Sequence, residues 1–129
     1  MKKIAALGFL FALLMGCASA SKNEINQQLD SQSGKEVVLV RVLNDSRCPE
    51  GVQCVWAGEV TIEVAVYENK KLSEQTQFTI NAQSADEVKA WFEQHLPPSK
   101  EKLKAVSVAP YPKEGVTIQP EEYKIVLKY

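Results

Sequence analysis

The residues best equipped for chemistry in this 129-residue chain crowd into one segment. Asp45-Ser-Arg47-Cys48-Pro49-Glu-Gly51-Val-Gln-Cys54-Val-Trp56-Ala-Gly58 packs two cysteines, an acid–base pair, a proline, two glycines and a tryptophan into 14 residues. Two thiols could ligate a metal, run redox chemistry or close a structural bridge. A zinc site wants about four ligands at a recognised spacing, and the single histidine, His95, lies far away in sequence. Redox pairs ordinarily have Cys-x-x-Cys spacing, which Cys48 and Cys54 lack. The spacing favours a structural Cys48–Cys54 bridge, with no metal and no cofactor. Such a bridge closes a loop of about seven residues and stabilises a fold by roughly 2–3 kcal/mol in the chain-entropy picture. Pro49 and Gly51 supply the fixed and the permissive backbone that a tight loop needs.

The other polar groups are weighed the same way. Asp45 and Arg47 read first as a brace, Asp45 accepting backbone amides and Arg47 donating to loop carbonyls; the alternative is that they bind a ligand or partner. Trp56 reads as a packing lid over the bridge, or else as an anchor for a partner. Tyr111, between Pro110 and Pro112, suits either role. Asp45, Arg47, Trp56 and Tyr111 are therefore the candidate partner-binding residues. His95 falls in the last turn of a helical segment, where the dipole favours it, and no Ser-His-Asp or Cys-His pattern accompanies it. Glu59, Glu63 and Glu68 lie along one strand face, which reads as solvent-facing rather than as a pair of acids around a sugar. There is no phosphate-cradling glycine loop. No catalytic residue is assigned.

The first seventeen residues bear on where this chemistry takes place. Lys2-Lys3 precede an apolar run from Ile4 to Met15 that ends in Leu14-Met15-Gly16-Cys17. A basic start, a short hydrophobic run and a small residue before a cut describe a secretory signal, and a run this short falls below the roughly 20 residues of a permanent bilayer span. The Leu-x-Gly-Cys ending resembles the lipobox of bacterial lipoproteins, which implies cleavage before Cys17 and its lipidation. An exported chain meets an oxidising compartment, and with Cys17 assigned to lipid the remaining cysteines are the even pair Cys48 and Cys54. Ala18 follows the lipidated cysteine; by resemblance to lipoproteins of two-membrane bacteria this favours the outer membrane, facing the periplasm. Removing Lys2 and Lys3 leaves 13 basic against 16 acidic residues, a formal charge near −3. With no Lys/Arg stripe to neutralise phosphates, nucleic acid is not an expected partner. The membrane is reached through lipid, not charge.

The string Asp-Ser-Arg-Cys-Pro-x-x-Val-x-Cys-Val-Trp-Ala-Gly, with Pro110-Tyr111-Pro112 and the Tyr-x-x-x-Leu of the terminal strand, resembles a family of small exported bacterial envelope lipoproteins of uncharacterised activity. The resemblance spans roughly residues 37–67 and 106–129. It implies membership of an envelope lipoprotein family and carries over no activity.

The elements that must position these residues follow from periodicity. Residues 17–34 are polar and small and read as the lipidated cysteine and a tether, with Ile25 and Leu29 leaving room for a short helix or strand near its end. Val37 to Leu43 is β-branched and nearly continuous, a well-buried strand. Val60, Ile62, Val64 and Val66 alternate with Thr61, Glu63, Ala65 and Tyr67, a strand with one buried and one wetter face. Asn69-Lys70-Lys71 reads as a hairpin turn, and Glu74 to Ile80 as the returning strand with Phe78 and Ile80 inward. Ser84 and Glu87 match a capping box. Val88, Trp91, Phe92, His95 and Leu96 then recur at helical spacing until Pro97-Pro98. Strands follow at 103–109 and 123–129, with Val116–Ile118 as a possible short strand between them. The expected fold is mainly β: a small antiparallel β-sandwich or β-barrel, with one inserted α-helix over about 84–96. Residues 1–16 are read as signal peptide and 35–129 as a single domain. The functional expectation is a non-enzymatic, lipid-anchored binding or accessory module, its partner an envelope protein. The alternatives are an inhibitor of a secreted hydrolase and a small envelope hydrolase or redox enzyme.

Overall fold

The computed structural model describes residues 25, 27–29, 34–97 and 101–129. The leader, Cys17 and Pro98 lie outside the described residues. The chain is mainly β, built as two antiparallel sheets with one helix. Four strands form the larger sheet in sequential order: β1 (Gln27–Gln28), β2 (Lys35–Asp45), β3 (Val60–Glu68) and β4 (Lys71–Ile80). Helix α1 (Ala85–His95) follows, and β5 (Ala105–Ala109) pairs with β6 (Lys124–Lys128) as a second sheet. Two packed sheets make this a sandwich rather than a barrel. Of the short helix or strand for which Ile25 and Leu29 leave room, the strand is what forms, as β1, so the folded unit reaches back to Ile25, whose amide donates to the Val40 carbonyl.

The alternating apolar residues of β3 lie on the inner face, where pairing brings Val37 opposite Val66, Leu39 opposite Val64, and Phe78 opposite Ile62. These side chains meet Val88 and Phe92 of α1, Leu103, and Val108 and Ile125 of the small sheet in one core. Phe92 is fully enclosed, and its neighbour Trp91 stands edge-on to both Phe92 and Phe78, at 5.1 and 5.0 Å between ring centroids, a geometry the ring quadrupoles favour. Asn69 and Lys70 both take positive φ, as the hairpin turn requires, because that backbone twist matches the flanking strands.

Four local expectations are corrected. The outer face of β3 is not wet throughout: Glu63 is 8% exposed and Ala65 1%, because β3 is flanked by strands on both sides. There Arg41 approaches the Glu63 carboxylate at 3.5 Å and the Gln75 amide donates to it. The Ser84–Glu87 capping box does not form, since the Ser84 hydroxyl turns back and donates to the Thr79 carbonyl while Asn81 Oδ1 accepts the amides of Gln83 and Ser84. The strand end thus captures the residue that would have capped the helix. Val116–Ile118 is not a strand; the Val116 amide donates to the Lys113 carbonyl in a turn. The strands placed at 103–109 and 123–129 contract to Ala105–Ala109 and Lys124–Lys128.

The two sheets are joined by more than apolar contact. The side-chain amide of Gln27 donates to the Ile125 carbonyl and accepts the Ile125 amide, at 3.1 and 2.6 Å. It pairs with the small sheet as a strand backbone would.

Phe92→Ala is expected to destabilise the domain by about 3–5 kcal/mol, the range for deleting an enclosed aromatic, whereas Val116→Ser at an exposed site should stay within about 0.5 kcal/mol. Equilibrium urea denaturation of the two variants checks the contrast.

Candidate functional site

The segment from Ser46 to Glu59 leaves one end of the larger sheet and continues its ladder. The Ser46 amide donates to the Glu59 carbonyl at 2.8 Å, and the Cys48 amide to the Ala57 carbonyl at 2.9 Å. Cys48 and Cys54 are joined by a disulfide. A second loop supports this one from the side: Glu50 and Lys113 form a parallel bridge, the Glu50 amide donating to Pro112 and the Glu114 amide to Glu50. Gly58 makes the close return possible. It has φ +76°, and a Cβ there would lie 2.0 Å from the Ser46 carbonyl oxygen, far inside contact distance. Only glycine occupies such a site without moving backbone.

Beneath the loops lies the pair singled out in the sequence. Two register shifts in β2 leave Asp45 opposite Val60 on the inner face, while the intervening Arg41 faces Glu63 on the outer one. There Arg47 Nε and Nη2 donate to the two Asp45 carboxylate oxygens, each at 2.8 Å, the forked geometry that makes guanidinium–carboxylate pairs strong. Arg47 also donates to the carbonyls of Val108 at 2.5 Å and Pro110 at 3.0 Å. Asp45 accepts the Arg47 backbone amide and the Tyr123 hydroxyl, the latter at 3.0 Å. Both charged side chains are about nine-tenths buried. The brace expected of them is present, and it reaches further than their own loop, tying the larger sheet to the end of β5 and the start of β6. Ala109–Pro110 is a cis peptide bond, and Tyr111 beyond it lies with its ring centroid 5.2 Å from the Arg47 guanidinium carbon.

Burial pushes the Asp45 carboxyl up, but hydrogen bonds and charge from Arg47, with the Tyr123 hydroxyl, outweigh it and leave the group below its ordinary value of 3.8. Burial also raises Tyr123, joined by the hydrogen bond to Asp45 and the charge of that carboxylate, to about 12.

The four candidate residues divide sharply. Asp45 and Arg47 direct their polar atoms inward. Trp56 is 62% exposed and Tyr111 46%, so Trp56 is more open to solvent than a packing lid over the disulfide would be. Val55 beside it is entirely exposed, and Val52 is 41% exposed. Next to the loops runs an open groove of about 400 Å³, walled by Val60, Ile80, Val106 and Val108 and reaching Tyr111. His95 is at the other end of the sandwich, because its partner Glu74 pairs with Val66 while Asp45 pairs with Val60. His95 Nδ1 lies 2.8 Å from the Trp91 carbonyl and Nε2 2.9 Å from Glu74, with the ring stacked on Trp91. Glu59 accepts from Asn81, and Glu68 pairs with Lys35. Among the described residues, no three His, Cys, Asp or Glu side chains converge as metal ligands. No helix of the described residues is long and apolar enough to cross a membrane.

Two contributors were not recognised in the sequence. Tyr123 falls in the expected terminal strand and Gln27 in the polar tether, and nothing local to either signals a partner 78 or 98 residues away. No family model, curated protein or solved structure matches this chain.

Two outcomes test this geometry. Gly58→Ala is expected to cost more than about 2 kcal/mol, since positive φ and a backbone clash act together, while Gly115→Ala, with open space around it, pays only the φ term; paired thermal melts compare them. Tyr123 is raised in the folded state, so its stabilisation is complete below about pH 10, the ordinary value, and is lost as pH rises through about 12. Stability against pH should therefore fall across that window in the wild type, and the fall should be smaller in Tyr123→Phe. Asp45, being lowered, contributes stability at neutral pH that is lost as pH drops through its depressed value.

Proposed function

We propose that this chain is a lipid-anchored envelope protein whose β domain works as a non-enzymatic binding or accessory module, receiving a protein partner in the groove beside Tyr111. The observation that carries the binding reading is the division of the four candidate residues. The charged pair is engaged inside the domain, while aromatic and apolar side chains face out from a frame held by a disulfide, a backbone bridge and a buried ion pair. A surface already ordered before contact loses little conformational freedom on association, and an exposed tyrosine is a favoured interface anchor. A catalytic reading would want acid and base converging on one cleft, and His95 lies at the far end from Asp45.

The anchoring part rests on Lys2-Lys3, the apolar run to Met15 and the lipobox-like Leu14-Met15-Gly16-Cys17. Ala18 favours the outer membrane, facing the periplasm. The resemblance of the Asp45–Gly58 string to small envelope lipoproteins agrees with this placement.

Labelled palmitate fed to cells is expected to enter the wild type and not Cys17→Ser; label that survives the change removes the anchor. For the groove, a photo-crosslinking phenylalanine derivative at position 111 is expected to capture one protein in the native envelope. The same group at position 72, exposed at the opposite end, should capture none. No adduct from 111, or the same adduct from both sites, ends the groove reading. Turnover in a hydrolase screen that disappears in His95→Ala would replace the binding module with an enzyme.

A further inference from the structure

We infer that the Val55–Trp56 tip of the disulfide loop is a second membrane contact, dipping into the interface of the same bilayer that holds the lipid on Cys17. The inference rests on the anchoring reading and adds to it an orientation for the domain.

Chain direction carries the argument. β1 runs antiparallel to β2, with Gln28 opposite Val38 and Gln27 opposite Leu39, and the Ile25 amide reaches the Val40 carbonyl. Followed backwards, the chain therefore leaves the domain toward the Asp45 end of β2, the end from which the disulfide loop projects. The alternative direction would have carried it toward Lys35 and the opposite pole.

Lengths agree with a shared plane. Val40 lies beside Leu39, which is opposite Val64, and Cys48 is hydrogen-bonded across from Ala57. Seven residues separate Val64 from Ala57, roughly 23 Å of extended chain. Cys17 precedes Ile25 by eight residues, which can span at most about 29 Å. A linker of this length is long enough for the lipidated cysteine to lie at the level of the loop, and too short for it to pass far beyond it.

The tip has the composition of an interfacial contact. From Gly51 to Ala57 there is no charged residue. Val55 is fully exposed, and Trp56 and Val52 extend the apolar surface. Tryptophan favours the headgroup level of bilayers, with its ring in the apolar boundary and its N–H toward water. The groove walls, Val60, Ile80, Val106 and Val108, do not include Trp56, so the two surfaces are separable.

The test uses the chain from Cys17 onward, coupled through the Cys17 thiol to maleimide-headgroup lipid in phosphatidylethanolamine–phosphatidylglycerol vesicles; the disulfide leaves Cys17 as the free thiol. Trp56 emission is read as the difference between wild type and Trp56→Phe. The expected result is a blue shift with quenching by lipids brominated near the headgroup, and loss of both in Val55→Asp. Attachment through Tyr129→Cys in a Cys17→Ser background should give neither. β6 starts at the loop end, with Lys124 opposite Ala109, and so ends at the other pole. Solvent-like Trp56 emission under Cys17 attachment overturns the inference, as does equal quenching from both attachment points. Shielding of Trp56 that requires added envelope protein also overturns it, in favour of a protein partner at the tip. Palmitate labelling judges the cellular anchor separately, so its failure and the failure of the tip contact give different results.

Discussion

The buried Asp45–Arg47 ion pair is the constraint on which the functional end of this molecule depends. Two charges taken from water are tolerated only when their hydrogen-bonding capacity is met. Here it is met by groups from three parts of the chain: the Asp45 carboxylate and the Arg47 amide at the end of β2, the Tyr123 hydroxyl before β6, and the carbonyls of Val108 and Pro110. Satisfying the guanidinium obliges the β5 end to sit beneath the loop, and satisfying the carboxylate draws in Tyr123. Polar geometry thereby sets the relation of the sheets at this end, which non-directional apolar packing alone would leave loosely specified.

Other directional contacts divide the remaining work. Gln27 pairs with the Ile125 backbone and links β1 to the small sheet. The disulfide and the Glu50–Lys113 bridge hold the projecting loop from within and from the side. Gly58 admits the close return of chain against Ser46. The outcome is a tip whose apolar residues are exposed because the frame prevents their collapse onto the core. An exposed Val55–Trp56 pair on a floppy loop would gain by folding back; here the backbone hydrogen bonds already made oppose it.

Much of the fold was legible because its signals are local and repeated. The period-two run of β3, the β-branched run of β2, the Asn69–Lys70 turn and the helical spacing of Val88, Phe92 and His95 each identify an element without knowledge of the rest. Cysteine spacing likewise announced the bridge. The misreadings share one cause. Ser84 matched a capping pattern, yet the end of β4 offered its hydroxyl a carbonyl; Glu63 matched a wet face, yet Arg41 and Gln75 of the flanking strands enclose it. Trp56 matched a packing lid, yet it is largely exposed at the projecting loop. In each case a contact that the short sequence pattern does not contain competed with it and prevailed.

By itself, the sequence determined the principal strands, the helix and the disulfide partners, and it favoured a brace over a binding site for Asp45 and Arg47, because propensity, periodicity and short-range spacing act within a few residues. Only the tertiary structure decided what the brace holds, since Val108, Pro110 and Tyr123 come to it across more than 60 residues of chain. It also decided which candidate residues face outward and in which direction the chain departs at Ile25. Those are matters of register and strand pairing, and a pairing partner is chosen by the burial of the whole core, which no short stretch of residues contains.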